Sequence, residues 1–184
     1  MVIRKLVSLP LLFVLILPIT ARSQEAESKP AKCFLWKVSS EEGDAYIMGS
    51  IHFASKDLYP LSQPFQDAFA ESNQLVLELD PLTVDSAKAQ ALIMSKGFYQ
   101  GEEDLATVLD AKTMSMLKEY LKANNLPPEN MMKMKPGLMT ITLSAVQLMQ
   151  LGYSPEHGMD MHFARKAKAR KMPIKELETL EQQL

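Results

Sequence analysis

Two short apolar runs, CFLWKVS at 33–39 and AYIMGSI at 45–51, flank Glu41-Glu42-Gly43-Asp44, a run of turn formers. Aromatic and aliphatic runs of this length read as strands, and so short a connection makes the pair a hairpin. From Ser62 the period becomes helical. Ser62 can cap, Pro64 falls in the first turn, and Phe65, Ala68 and Phe69 recur at helical spacing until Ser72-Asn73. Residues 74–79, QLVLEL, form a further aliphatic strand that Asp80-Pro81 stops. The strand–helix–strand order from 45 to 79 is a βαβ unit, which predicts that its two strands run parallel.

Beyond Thr83 the pattern is helical for a long way. Val84, Ala87, Ala91 and Met94 share one face, and Gly97 ends that segment. Residues 110–124 read as a second helix. Pro127-Pro128 opens a third, which Pro136-Gly137 breaks. Residues 138–152 are apolar on most faces, which predicts burial. A helix follows from His157 or Gly158 to Lys171, basic at its C-terminal end as the helix dipole favours, and then a short strand at 172–177. Thr179 and Gln182 fit a capping box that opens one more helix just before Leu184. The predicted class is therefore α/β: an N-terminal hairpin leading into a βαβ unit with parallel strands, then a large helical region and a further short strand. The domain spans 33–184 and reads as incomplete at its C-terminus.

The first residues depart from this pattern. Arg4 and Lys5 precede an almost wholly apolar stretch at 6–19, and Ala21-Arg22-Ser23 offers the small residues that signal peptidase prefers. Residues 1–23 thus read as a secretory signal peptide, and polar 24–32 as a disordered lead-in. Fourteen apolar residues are short for a membrane span, which takes roughly 20, so no stable span is expected after cleavage. The expected location is exported, periplasmic or secreted. Formal net charge is −2, and loss of Arg4, Lys5 and Arg22 with the leader makes the remainder more acidic. That excludes an electrostatic case for nucleic acid. Cys33 is the only cysteine, so no internal disulfide forms, and its apolar run favours a buried thiol.

Two residues stand out as chemistry. His52 leaves the strand in YIMGSIHF (46–53), on the face of Met48 and Ser50 if strand alternation continues. Gly49 interrupts that strand without a side chain, which allows a close backbone approach. Glu78 interrupts an otherwise aliphatic strand, where an unpaired carboxylate is costly. In open α/β sheets the C-terminal strand edge is where ligands bind. His52 and Glu78 could meet there on one metal, and histidine with carboxylate suits zinc, manganese, cobalt or iron. The alternative is a Glu78 paired with lysine and a His52 bonded to backbone.

A run of segments then carries a resemblance. FLWKVSSEEGDAYIMGSIHFASKDLYPLSQPFQDAFAESNQLVLELD, with its GSIH and LELD, resembles the N-terminal part of the TraB/GumN family, which is similar to the Tiki proteins. GMDMHFARKAKARKMPIKELETLEQQL resembles the family's glycine-x-aspartate helix and the LET segment after it. The resemblance implies an α/β fold related to the erythromycin-esterase and ChaN-like group. It also implies metal-dependent hydrolysis, in Tiki members of peptides with manganese or cobalt. It puts Gly49 and His52 in the first of two G-x-x-H motifs and Glu78 on the family glutamate, as ligand or catalytic base. Asp160 and Glu178 match further recurrent positions. The second G-x-x-H motif is not in this sequence.

The expected function is an exported metal-dependent hydrolase acting on a peptide or a small molecule, inactive if the second motif is truly missing. The alternative is a non-enzymatic binding protein for haem, a metal or a protein partner. A rival metal set, His157, Met159, Met161 and His162, would suit copper(I), although methionine more commonly fills cores. The basic run from Arg165 to Lys171 reads as a solvated helix face.

Overall fold

A computed structural model describes residues 33–183; the expected leader and lead-in lie outside the described residues. The chain is α/β. Strands β1 (Leu35–Ser40) and β2 (Gly43–Met48) form the antiparallel hairpin, with Ser40 opposite Gly43. Glu41 and Glu42 make the turn, and Gly43 takes φ +141°, a conformation that side chains resist. Helix α1 (Gln63–Glu71) starts after Ser62 with Pro64 in its first turn and buries Ala68 and Phe69. Strand β3 (Leu75–Leu77) follows.

The expected strand pairing changes here. β2 and β3 belong to separate two-stranded sheets, and the parallel partner of β3 is β4 (Ile174–Glu176), with Leu75 opposite Ile174 and Leu77 opposite Glu176. The reason lies in the helix that precedes β4. Helix α6 (Met159–Ala169) buries Phe163 against Phe69 of α1, ring centroids 5.2 Å apart, and the chain then delivers β4 alongside β3. A groove of about 930 Å³ separates β2 from β3, lined by both strands and the C-terminal end of α1. Tyr46 of β2 reaches Glu71 of α1, its hydroxyl donating to the carboxylate.

The helical region is α2 (Ser86–Gly97), α3 (Leu105–Val108), α4 (Ala111–Ala123) and α5 (Pro136–Gln150), with the single turn α7 (Leu180–Gln183) after β4. Asp85, Asp104 and Asp110 cap α2, α3 and α4 through their carboxylates. Three expectations change. The helix expected after Pro127 is only a 3₁₀ turn, Pro128–Asn130. Pro136 begins a helix rather than breaking one, because a proline in the first turn loses no internal hydrogen bond. Helix α5 is not buried: Met139 is its one buried residue, while Ile141 and Met149 are 68% and 61% exposed.

Two hydrophobic clusters hold the described residues. Leu61, Phe69, Met159, Phe163, Ala167 and Met172 form the first. Leu105, Met114, Leu121, Met131 and Met139 form the second. Five of these eleven are methionines, which fits their use as adaptable filler. The run from Arg165 to Lys171 is not merely solvated: the Arg170 guanidinium donates to the Phe69 carbonyl at 2.8 Å, and Lys166 lies over the Phe69 ring.

The segment after β2 is clamped to the start of α6. The Met159 N–H donates to the Ile51 carbonyl at 2.8 Å, and Ala54 and Ser154 exchange backbone hydrogen bonds at 3.2 and 2.9 Å. Gly158 permits the approach, since a Cβ built there would stand 2.3 Å from the His52 carbonyl oxygen. Gly158→Ala is therefore expected to cost about 1–3 kcal/mol, read as a lower urea midpoint. An unchanged midpoint would show that the clamp is not under this steric constraint.

His162 gives a second prediction. Its ring stacks on Tyr59, centroids 4.5 Å apart, and meets Phe163 edge-on. Burial, and then nearby Lys166, push its pKa below the ordinary histidine value. The native state therefore binds this proton less readily than the unfolded chain does. The stability held by neutral His162 is present above about pH 6.5 and is lost as pH falls through the lowered native pKa. Denaturation curves between pH 7 and 5 are expected to show this decline, and His162→Phe, which keeps the stacking, to flatten it. An equal slope in both proteins would rule the contribution out.

Candidate functional site

His52 lies four residues past the end of β2, in an irregular stretch, so the strand stops short of the imidazole it was expected to present. What fixes His52 is the clamp. The Met159–Ile51 hydrogen bond and the Gly158 approach set the first turn of α6 against the backbone of residues 51–52. Asp160, in that turn, then meets the imidazole: His52 Nδ1 lies 2.7 Å from Asp160 Oδ2. A carboxylate on Nδ1 favours the tautomer with its proton there, leaving Nε2 as the outward acceptor. Asp160 is the most sheltered member of this group, its side chain 21% exposed against 66% for His52.

Glu78 comes from the parallel pair. Its carboxylate Oε2 lies 4.0 Å from His52 Nε2. The β3–β4 pairing continues past the strands, by one residue after β3 and two after β4, with the Leu177 N–H on the Leu77 carbonyl at 2.9 Å and the Glu178 N–H on the Glu78 carbonyl at 3.0 Å. Glu78 and Glu178 thus leave adjacent backbones at one edge. The lysine partner considered for Glu78 is replaced by Gln183, whose Nε2 donates to Glu78 Oε2 at 3.2 Å and to Glu178 Oε2 at 2.6 Å. His52, Glu78, Asp160 and Glu178 therefore form one connected group, assembled from α6 and the three segments that follow β2, β3 and β4.

Gly49 stands apart. Its close neighbour is Phe34 across the hairpin, 3.2 Å from a built Cβ, and its N–H donates to the Phe34 carbonyl. The rival methionine–histidine set does not converge: Met159 is buried in the first core, and His162 is stacked on Tyr59. Cys33 is half-buried and unpaired.

Gly158 is the glycine of the glycine-x-aspartate segment, and the structure adds its steric role; no reading of the sequence points to Gln183. The role of Gln183 rests on a pairing of β3 with β4 across about a hundred residues. Asp80 is also buried, its N–H donating to Glu176 at 2.8 Å and its carboxylate accepting from Leu82 at 3.0 Å, which fixes the turn out of β3.

The family model described as TraB/PrgY/gumN matches residues 34–184. The chain is 24% identical over 140 residues to the uncharacterized protein YbaP of Shigella flexneri, a stretch covering 76% of this chain and 50% of that protein. It is 24% identical over 139 residues to the protein of the same name in Escherichia coli strain K12, with the same coverage. The chain thus spans about half the length of the curated relatives it matches. No solved structure matches it. Every residue of the His52, Glu78, Asp160 and Glu178 group falls inside the matched region, and this chain belongs to the TraB/PrgY/gumN family.

Proposed function

We propose that this protein is an exported, metal-dependent hydrolase acting on a peptide or small-molecule substrate, with His52 and Glu78 as donors to a divalent cation. The observation that carries the reading is the placement of Asp160 behind His52. A histidine whose Nδ1 is held by a carboxylate at 2.7 Å, with Nε2 turned toward a second carboxylate, has the support that metal-binding imidazoles commonly receive. Histidine with carboxylate also suits manganese, cobalt and zinc. Among the described residues, no group of three or more histidine, cysteine or acidic side chains is arranged to enclose an ion. The donors fit as part of a coordination set, and the reading draws on His52 and Glu78 alone.

When bound, such a cation lowers the pKa of a coordinated water and polarises a carbonyl. The chain's own groups do the rest. Asp160 fixes the imidazole plane and tautomer. Glu78, more than half exposed, can hold the cation or take a proton from an attacking water, the role that a carboxylate general base performs. The leader-like residues 1–23 support export.

The groove between β2 and β3 favours a second reading, a binding protein for haem, a metal or a protein partner. It offers about 930 Å³ lined by apolar residues such as Met48, Phe65 and Phe69, and it opens on Glu78 and Asp160.

Titration calorimetry of the purified protein with Mn²⁺, Co²⁺ and Zn²⁺ tests the metal site that the hydrolase reading requires. His52→Ala and Glu78→Ala are each expected to weaken binding at least tenfold. Metal affinity unchanged in both variants would end the hydrolase reading and leave the groove as the functional feature. Asp160→Asn keeps the shape of the side chain and removes its charge. It is expected to weaken binding roughly ten- to a hundredfold while leaving the urea midpoint close to that of the parent. A loss of affinity matched by a loss of stability would mean that Asp160 acts only on the fold.

A further inference from the structure

Gln183 touches both carboxylates at the sheet edge, and its chemistry suits that position. Glu78 and Glu178 leave adjacent backbones, so two anions meet where each disfavours the other. A primary amide carries two N–H donors and no charge. It can bond both carboxylates at once without changing their combined charge, which a lysine in the same place would halve. The distances are 3.2 Å to Glu78 Oε2 and 2.6 Å to Glu178 Oε2. The Glu78 oxygen so held is the one that lies 4.0 Å from His52 Nε2.

The short helix that carries Gln183 is fastened independently of this bridge. Gln182 Oε1 accepts from the Thr179 N–H at 2.7 Å, so one half of the expected capping box is present. Glu181 pairs with Lys88 of α2 at 2.6 Å, and Lys96 donates to the Glu181 carbonyl at 3.0 Å. The amide thus approaches the carboxylates from a turn whose position is set by other contacts.

We propose that Gln183 is a positioning residue: by bonding Glu78 and Glu178 together it holds the Glu78 carboxylate beside His52, where those two donors would meet a divalent cation. The inference rests on the reading of His52 and Glu78 as donors, and its test has one arm that needs no metal. In that arm, the side-chain amide resonances of Gln183, assigned by their loss in Gln183→Met, are followed in the metal-free protein. Glu78→Gln and Glu178→Gln are each expected to shift them. In the second arm, Mn²⁺ binding is measured by calorimetry. Gln183→Met matches the length of glutamine and lacks the donors, so it is expected to weaken binding about tenfold at an unchanged urea midpoint. Gln182→Ala, which loosens the cap and leaves the bridge, is expected to bind Mn²⁺ within twofold of the parent. Resonances that neither carboxylate substitution moves overturn the bridge, whatever the protein binds. Parental affinity in Gln183→Met, or equal losses in Gln183→Met and Gln182→Ala, overturns the positioning role. A parent protein that binds no Mn²⁺ overturns the cation reading and with it the purpose of the pair, while the resonances still decide the bridge.

Discussion

One backbone contact organises the site: the meeting of residues 51–54 with the turn at 154–159. The Met159 N–H bonds the Ile51 carbonyl, Ala54 and Ser154 exchange hydrogen bonds, and Gly158 leaves room for the His52 carbonyl. These groups are about a hundred residues apart in sequence, so closing the contact carries a real entropic cost. The first core offsets it, since Met159 and Phe163 on α6 are buried with Phe69 on α1. Once α6 is seated, Asp160 has little choice of position, and His52 follows it.

The charged contacts are consequences of this geometry rather than its cause. His52 and Glu78 are 66% and 56% exposed and 4.0 Å apart. At that distance in water a pair of unit charges gains only about 1 kcal/mol, and exposed pairs measure less. Such a contact cannot hold together backbone segments about a hundred residues apart, such as 51–54 and 154–159. The backbone bonds between β3 and β4 and the clamp at Gly158 carry the long-range ordering. The side chains of His52 and Glu78, both more than half exposed, are left in contact with solvent.

How much was legible in the sequence depends on the range of the interaction. The hairpin, the helix after Ser62 and the helix end at Gly97 rest on neighbours a few residues apart, and the local pattern carries them. Adjacency in sequence favours β2 as the partner of β3, whereas the packing of Phe69 on Phe163 brings β4 instead. Helix α5 looked buried because its composition is apolar, yet composition does not say what covers a helix, and Ile141 and Met149 are open. Four candidate residues, His52, Glu78, Asp160 and Glu178, do meet. They were singled out by position at strand ends and by resemblance. Gln183 joins two elements that only the tertiary fold brings together, and no local signal marks it.

The exposed apolar surface and the site belong to one physical problem. The groove between β2 and β3 keeps each strand in a two-stranded sheet, a form with marginal stability in isolation. It is lined on one side by the hairpin, whose Trp36, Val38 and Ile47 are about half exposed. A catalytic centre and a binding cleft make different demands on such a groove. Catalysis at His52 and Glu78 needs a dry, shaped cavity to raise the strength of each electrostatic contact, and the present exposure of both side chains keeps those contacts weak. Binding needs only apolar area and a few polar anchors, which the groove and its acidic end already combine. A ligand seated in the groove would exclude water from Glu78 and Asp160, which line it, and so strengthen the electrostatic contacts that each makes.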